Sequence, residues 1–140
     1  MPRVLVVDDA ADIRLLIERI LGPRGWDVVT TGDVGEALAM LASAPHPDVV
    51  LLDLQMPDVD GWSALETIRA DPATAALPVV LCTVKSGLDD AIRAWQLGAD
   101  AYITKPFSVD ELAQEVTAAA TRPRRDRERF RAERLDELRR

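Results

Sequence analysis

The sequence predicts an α/β protein built on a doubly wound parallel sheet, and three observations lead to that fold class. Short apolar runs without polar alternation recur along the chain, which is the pattern of strands covered on both faces. The segments between the runs carry apolar residues at helical spacing, and the connecting loops are short. Five strands that alternate with five helices favour a parallel sheet whose crossovers are right-handed.

The five predicted strands are short segments dominated by apolar and β-branched residues. They span residues 4–7, 26–30, 49–52, 78–82 and 101–103. The first is followed at once by Asp8 and Asp9, and the third by Asp53. Because open α/β sheets place their chemistry at the carboxyl ends of the strands, we expect these acids at the functional edge of the sheet.

The five predicted helices are marked by apolar stripes and by residues that start or stop helices. The first ends at Gly22-Pro23, the third spans residues 61–70, and the fourth stops at Gly98. The second carries its apolar stripe over residues 34–41. The fifth opens at Ser108 with Glu111 three residues later, which is the spacing of a capping box.

The length and composition of the chain are those of one soluble globular domain, with 140 residues, 48% of them hydrophobic and 29% charged. No apolar stretch approaches the roughly 20 residues that span a bilayer, and no secretory signal precedes the first strand. Cys82 is the single cysteine, which excludes an internal disulfide and is typical of a reducing cytoplasm. We therefore expect a cytoplasmic protein without a membrane partner.

Charge is distributed unevenly along the chain. Residues 1–121 contain 8 Lys and Arg against 19 Asp and Glu, whereas residues 122–140 contain 9 Arg against 5 acidic residues. We predict one domain over residues 1–121 and a charged, helical tail over residues 122–140, beginning where Pro123 breaks the fifth helix. The acidic domain repels nucleic acid, which is not an expected partner. The tail is expected to be a solvated, partly frayed helix, or a helix that dimerises or binds a partner; the remaining alternatives for it are an interdomain linker and a nucleic-acid contact.

Three carboxylates at the strand ends point to a cation. Asp8, Asp9 and Asp53 cannot all ionise a few ångströms apart unless a positive charge compensates them. Mg²⁺ is the natural choice, because it binds one or two carboxylates, keeps several waters and leaves a place for a phosphate oxygen. The alternative for Asp8 and Asp9 alone is that they cap the following helix, whose N-terminus favours acids.

Two further polar groups follow the fourth and fifth strands. Thr83 supplies a hydroxyl that can bind an acceptor oxygen, and Lys105 supplies one ammonium group. Taken singly, Thr83 is compatible with a turn residue and Lys105 with a solvated charge. Together with the three acids, they indicate a single functional site at the carboxyl edge of the sheet.

The segments that carry these residues resemble the receiver domain of two-component response regulators. They are VLVVDD (4–9), VVLLDLQMPDVDGW (49–62), VVLCT (79–83) and GADAYITKPF (98–107). The spacings agree as well, with 44 positions from Asp9 to Asp53, 30 from Asp53 to Thr83 and 22 from Thr83 to Lys105. The resemblance covers residues 3 to about 121. It implies a flavodoxin-like sheet of strand order 2-1-3-4-5, which the residues alone leave open.

The resemblance implies a phosphorylation-controlled switch rather than a metabolic enzyme. Asp53 would accept a phosphoryl group from the phosphohistidine of a sensor histidine kinase or phosphotransfer protein. Asp8, Asp9, Asp53 and the backbone carbonyl of Gln55 would hold Mg²⁺, and Lys105 would neutralise phosphoryl charge from the other side. The bond between Lys105 and Pro106 is expected to be cis.

The resemblance also assigns a switch pair, three flanking positions and a docking surface. Thr83 and Tyr102 match the switch pair, in which the aromatic ring follows the hydroxyl and the fourth helix, fifth strand and fifth helix shift. Gln55, Val84 and Lys85 flank the phosphorylation site, and Val84 stands where family members usually have a very small residue. The surface that docks the kinase would consist of Arg14, Leu15, Glu18, Pro106 and Phe107.

We expect a single-domain regulator that acts on a downstream protein or serves as a phosphorelay carrier, with a homodimer formed through the switching face or the tail as a further arrangement. Three alternatives to this interpretation stay open. They are a receiver taken from a longer regulator, a haloacid-dehalogenase-like phosphatase and a flavin-binding electron carrier. The phosphatase needs a second acid where this chain has Gln55, and the flavin carrier needs a hydroxyl-rich phosphate loop where this chain has Asp8-Asp9.

Overall fold

The computed structural model describes residues 1–56, 59–84 and 87–140, and its main element is a five-stranded parallel sheet. The strands of the molecule are, in chain order, β1 (Arg3–Val7), β2 (Asp27–Thr31), β3 (Val49–Leu52), β4 (Gln55–Met56), β5 (Val59–Asp60), β6 (Val79–Thr83) and β7 (Ala101–Thr104). The main sheet has the order β2-β1-β3-β6-β7. Numbered among themselves, its five strands follow the order 2-1-3-4-5, and the doubly wound fold is confirmed.

The sequence pattern does not predict β4 and β5, which pair with each other in an antiparallel ribbon outside the main sheet. Gln55 lies opposite Asp60, and Met56 lies opposite Val59. Strands of two residues are too short to show the alternation from which strands are recognised in a sequence. The first strand of the ribbon begins two residues after Asp53, so Asp53 lies between β3 and β4.

The helices are α1 (Ala11–Leu21), α2 (Val34–Leu41), α3 (Gly61–Ala70), α4 (Leu88–Gln96), α5 (Val109–Thr121) and α6 (Arg124–Leu138), with a 3-10 turn at Gly22–Arg24. The cap predicted for α5 is present, since Oγ of Ser108 accepts a hydrogen bond from the Glu111 N–H at 3.0 Å. Asp60 caps α3 in a similar way, accepting from the Trp62 N–H. Within the described ranges, no helix is long and apolar enough to cross a lipid bilayer.

The sheet divides the apolar core into two layers. Successive strand residues point to opposite faces, so Leu5 and Val7 face α2, α3 and α4, whereas Val4 and Val6 face α1 and α5. Both sets are buried. A strand covered on both faces has no polar face to show, which explains the unbroken apolar runs of the sequence.

A buried charge cluster joins α3, α6 and the segment before β7. Asp100 accepts hydrogen bonds from Arg69 at 2.9 Å and from Arg127 at 2.8 and 2.9 Å, and Arg131 lies 3.6 Å away. Burial lowers the pKa of Arg69 to about 10; Asp100 opposes that shift, whereas Arg127 and Arg131 add to it. Three arginines thus share one buried carboxylate, and α6 is attached to the domain through two of them.

Candidate functional site

The carboxyl ends of four parallel strands place the predicted site residues at one edge of the sheet. Asp8 follows β1, Asp53 follows β3, Thr83 ends β6 and Lys105 follows β7. Backbone hydrogen bonds continue the sheet beyond the strand ends, from the Asp53 N–H to the Val7 carbonyl at 3.0 Å and from the Lys105 N–H to the Thr83 carbonyl at 2.8 Å. The site is therefore built on the rigid sheet rather than on free loops.

The three acids form one cluster suited to a hard cation. Asp8, Asp9 and Asp53 each offer a carboxylate oxygen, and these oxygens lie within 4.8 Å of one another. Asp8 and Asp53 are buried, whereas Asp9 is exposed. Carboxylate oxygens at this separation are the donor set that Mg²⁺ accepts. The alternative that Asp8 and Asp9 cap α1 is not what the structure shows, because the N-cap residue is Ala10 and Oδ1 of Asp8 accepts from the Ala10 N–H, one residue before the helix.

Lys105 neutralises two of these carboxylates. Its ammonium lies 2.6 Å from Oδ2 of Asp8 and 3.2 Å from Oδ2 of Asp53. Burial alone would lower the pKa of Lys105, but the hydrogen bond and charge of Asp8, followed by those of Asp53, outweigh it and raise that pKa. The lysine is thus held in its charged form beside Asp53.

The carboxylate of Asp53 is fixed at both oxygens. Oδ1 accepts a hydrogen bond from the Gln55 N–H at 3.0 Å, and Oδ2 faces Lys105. Burial raises the pKa of Asp53, the Gln55 N–H and the Lys105 charge oppose that shift, and the charge of Asp8 adds to it. The backbone of Gln55 lies beside the carboxylate, where the resemblance places a metal-binding carbonyl.

Gly61 is a site residue that the sequence pattern did not single out. A Cβ atom at this position would lie 2.5 Å from Cα of Leu54 and 2.8 Å from the carbonyl oxygen of Asp53. Only glycine therefore lets the start of α3 approach the segment that follows β3. A signal was available, because glycine is a poor helix former and here opens a predicted helix.

Arg14, predicted as a docking residue, contacts the segment that carries two of the three clustered acids. Its Nη1 donates to the backbone carbonyl of Asp8 at 2.7 Å, and the side chain is half-buried. A Cβ atom at Gly32 would lie 2.7 Å from the same nitrogen, so the absence of a side chain at Gly32 makes room for the Arg14 guanidinium. Arg14 thus connects α1 to the end of β1.

Thr83 and Tyr102, the predicted switch pair, lie on one face of the sheet. Tyr102 lies opposite Leu81, and Thr83 is two residues beyond Leu81, so both side chains point to the face that packs against α3 and α4. Thr83 is buried and Tyr102 is half-buried. Burial, and then the charge of Asp90, raises the pKa of Tyr102 to about 12, so its hydroxyl stays protonated at neutral pH.

The remaining predicted residues that the structure describes differ in exposure. Val84 follows the buried Thr83 and is 56% exposed, whereas Lys85 lies outside the described residues. The Lys105–Pro106 bond is cis, as expected. The docking residues divide by exposure: those in contact with solvent are Leu15, Glu18 and Pro106, and those half-buried are Arg14 and Phe107.

Comparison with known proteins gives relatives of similar sequence. RpaA of Synechocystis, described as a DNA-binding dual master transcriptional regulator, is 39% identical over 124 residues, which are 87% of this chain and 50% of that protein. PilG of Pseudomonas aeruginosa is 37% identical over 116 residues, which are 83% of this chain and 85% of that protein. This chain spans about half the length of RpaA and of other curated relatives that it matches.

A comparison with solved structures and a match to a family model lead to the same family as the sequence relatives. The receiver domain of the Francisella response regulator 1452 superposes with a TM-score of 0.79 at 34% identity, covering 87% of this chain and 98% of that one. A family model described as the response regulator receiver domain matches residues 4–117, which include the three acids, Thr83 and Lys105. With the order of the sheet and the residues at its edge in agreement, this chain belongs to the response regulator receiver domain family.

Proposed function

We propose that this receiver is switched by phosphorylation of Asp53, with the phosphohistidine of a sensor histidine kinase or phosphotransfer protein as donor. The observation that carries the proposal is a buried carboxylate with a charged lysine at 3.2 Å, in a cluster of three acids. The chemistry takes place on the chain's own aspartate. We therefore propose a signalling protein rather than an enzyme that turns over a separate substrate.

The proposed Mg²⁺ ligands are Asp8, Asp9, Asp53 and the backbone carbonyl of Gln55. The oxygen-rich cluster supports this assignment, since hard divalent cations prefer such donors. When bound, Mg²⁺ neutralises charge on the transferring phosphoryl group. The chain's own contribution is to hold the ligands in place, through the Lys105 ammonium and the Ala10 N–H on Asp8.

In the proposed transfer, a carboxylate oxygen of Asp53 attacks phosphorus and an O–P bond forms. The P–N bond of the phosphohistidine breaks, its electron pair stays on the imidazole nitrogen, and that nitrogen takes a proton from solvent. Lys105 faces the negative charge of the phosphoryl oxygens, and the Thr83 hydroxyl donates to one of them. Hydrolysis resets the switch, as water attacks phosphorus, inorganic phosphate leaves and the carboxylate of Asp53 returns.

The partners are proposed from exposed surfaces on both sides of the site. On α1, Leu15 is 47% exposed and its neighbour Leu16 43%, and two adjacent exposed leucines support docking of a kinase at this helix. Pro106 and Phe107 complete the proposed docking surface. We propose that the downstream protein, or a second copy of the chain, reads the surface formed by α4, β7 and α5, which contains Tyr102.

The test is phosphorylation by a small phosphodonor such as acetyl phosphate, followed by intact-protein mass spectrometry. The wild type should gain one phosphoryl group with Mg²⁺ and none with a chelator, and hydroxylamine should remove it, as it does for acyl phosphates. Asp53→Asn should gain none. Asp48→Asn is the matched control, because Asp48 is an exposed carboxylate just before the other end of β3. Phosphorylation of Asp53→Asn, or a label stable to hydroxylamine, would exclude Asp53 as the acceptor.

A second candidate is that residues 1–140 act as the receiver part of a longer regulator. The coverage of only half of RpaA and similar relatives favours it. Immunoblotting of native cell extract with an antibody to this chain distinguishes a single-domain regulator from a longer one. A band near 15.4 kDa supports the single-domain regulator, and a band about twice as large supports the longer one.

A further inference from the structure

α6 lies against α4 and is held there by one aromatic side chain. Phe130 packs edge-on against Trp95 of α4, with ring centroids 5.8 Å apart and an interplanar angle of 73°. The guanidinium of Arg122 lies 3.6 Å from the centroid of the Phe130 ring, and that of Arg134 lies 5.1 Å from it. Edge-on aromatic and cation–π contacts both stabilise such an arrangement. Phe130 is therefore the apolar anchor of α6.

A buried ion pair is the second anchor. Arg127 is 6% exposed and donates from Nε and Nη2 to the two carboxylate oxygens of Asp100, and it also donates to the Ala76 carbonyl. Asp100 keeps a separate ion pair with Arg69 of α3 at 2.9 Å. Removal of α6 would thus return Arg127 to water without leaving Asp100 unpaired, which avoids the large cost of a lone buried charge.

Arg131 adds a third contact between α6 and the domain, since its Nη1 donates to the Gly98 carbonyl at 2.9 Å and lies 3.6 Å from a carboxylate oxygen of Asp100. Apart from such side-chain contacts, α6 is a mostly polar helix of 15 residues, and isolated helices of that length are marginal in water. Residues 122–140, which contain α6, carry a net charge of +4 against −11 for residues 1–121, so long-range attraction also favours docking. Because α6 depends on its contacts with the domain to stay helical, a change in the surface beneath it changes how stably it is docked.

Strand β7 connects the seat of α6 with the candidate phosphorylation site. Lys105 follows β7 and binds Asp53, and Tyr102 lies three residues earlier in the same segment. Tyr102 lines a cavity of about 300 Å³ together with Phe130 and Arg134 of α6. Displacement of the Tyr102 ring therefore changes the shape of the cavity that Phe130 and Arg134 also line. Four lining residues define what we call the α6-binding face: Trp95, Tyr102, Glu111 and Glu115.

We propose that α6 is the intramolecular ligand of the α6-binding face and that phosphorylation of Asp53 releases it. This rests on the proposed function, in which the phosphoryl group draws Lys105 and Thr83 toward itself and Tyr102 follows inward, away from Phe130. The docked state of α6 and the phosphorylated arrangement of β7 then disfavour each other. By linkage, docking of α6 disfavours the phosphorylated arrangement by the same factor by which that arrangement disfavours docking. A partner that reads this face meets an occupied surface until α6 leaves.

The experiment is amide hydrogen exchange of the full chain with Mg²⁺ alone and with Mg²⁺ plus beryllofluoride, a mimic of the phosphoryl group on Asp53. Exchange over residues 124–138 should become faster with beryllofluoride, by about 5- to 150-fold for an ordinary allosteric coupling. Amides of residues 49–56 and 79–84 report in the same data whether the mimic has bound. Unchanged exchange of α6 with altered exchange at the site would overturn the release of α6 and leave the proposed function intact.

The failure of the proposed function has a different signature. If beryllofluoride changes exchange nowhere and acetyl phosphate adds no phosphoryl group to the wild type, Asp53 is not an acceptor and both proposals fall. The two results are distinguished by the site peptides, which belong to the sheet edge and do not include α6.

Two variants test the reciprocal effect. Phe130→Ala removes the anchor on Trp95 without burying a charge, and its α6 should exchange faster before any mimic is added. Its affinity for beryllofluoride should rise by at least about 5-fold over the wild type. Arg129→Ala is the matched control, since this side chain is 73% exposed on the same helix, and both its exchange and its affinity should match the wild type. Faster exchange of α6 in Phe130→Ala with unchanged affinity would show that docking and phosphorylation are not coupled.

Discussion

Lys105 forms its shorter ion pair with Asp8, at 2.6 Å, and not with the carboxylate of Asp53 that it is proposed to assist. Both side chains of the shorter pair are largely buried, and Asp8 also accepts from the Ala10 N–H. Without a metal ion, Lys105 is the positive charge that lets two buried acids coexist. On the proposed function, Lys105 and Mg²⁺ would compete to neutralise Asp8, and this competition can be measured.

We expect Lys105→Met to lose about 3 kcal/mol of unfolding free energy in the presence of a chelator, because its removal leaves buried carboxylates uncompensated. Saturating Mg²⁺ should recover most of that loss, and the variant should bind Mg²⁺ more tightly than the wild type. Urea denaturation with and without Mg²⁺ measures both effects. Arg139→Met removes one exposed positive charge and serves as the control. An equal loss for Lys105→Met in Mg²⁺ and in chelator would contradict the competition.

The close approach of Gly61 to the segment after Asp53 leads to a second prediction. Gly61→Ala should lose about 1–3 kcal/mol of unfolding free energy, because its Cβ atom would meet backbone atoms of Leu54 and Asp53 that cannot give way cheaply. It should also slow phosphorylation, since the loop that positions Asp53 must shift. Urea denaturation and acetyl phosphate labelling measure the two effects.

Gly22→Ala is the matched control for that variant. Gly22 has a φ of −54° and a ψ of −52°, and a Cβ atom at this position would meet no atom within 4 Å beyond its two chain neighbours. The remaining cost is local, because Pro23 disfavours the α conformation of the residue before it, so Gly22→Ala should lose less unfolding free energy than Gly61→Ala. Equal urea midpoints for Gly61→Ala and Gly22→Ala would remove the steric argument.

The sequence predicts the strand-end residues well because their placement depends on local pattern and on a general rule. Asp8, Asp53, Thr83 and Lys105 each end or follow an apolar run, and the ends of parallel strands meet at one edge. No knowledge of distant contacts is needed to bring them together. Membership of the receiver family then sets aside the phosphatase and flavin-carrier alternatives, which the residues alone leave open.

The docking of α6 could not be predicted from local sequence patterns, because it depends on contacts between residues that are distant in the sequence. Arg127 is 27 residues from Asp100, and Phe130 is 35 residues from Trp95, so no periodicity relates them. In the sequence, Asp100 and Arg127 look like two more solvated charges, and α6 looks like a polar helix with one aromatic residue. Burial of a charge is specified by partners on other elements, and these become visible only in the fold.

Val84 directly follows the buried Thr83, is 56% exposed and supplies a third prediction. A branched side chain directly after Thr83 restricts access of water or of the phosphodonor, so the wild type should be phosphorylated or hydrolysed more slowly than Val84→Ala. Because Val84 is exposed, the substitution should change unfolding free energy by less than about 0.5 kcal/mol. Rates of acetyl phosphate labelling and of phosphate release measure the effect, with Val109→Ala as an exposed control away from the site. Equal rates in all three proteins would remove the role of Val84.

Cys82 supplies a fourth prediction, on the pH dependence of stability. The thiol is buried between the sheet and α5, and burial raises its pKa from about 9 to about 12. The thiol of the unfolded chain therefore ionises near pH 9, while that of the folded chain stays protonated until near pH 12. Unfolding releases a proton in this window, so stability falls as pH rises from 9 toward 12, by on the order of 4 kcal/mol in all.

Comparison with Cys82→Val isolates this thiol, since every other alkaline titration is shared by both proteins. The difference in unfolding free energy between wild type and variant should be constant below pH 8 and should shift steadily against the wild type above pH 9. Urea denaturation across pH 7–11 measures it. In parallel, a thiol reagent at pH 8 should leave the folded wild type unmodified and react fully in urea. A constant difference up to pH 11, or rapid modification of the folded protein, would mean that the thiol is not shielded from solvent as the core packing requires.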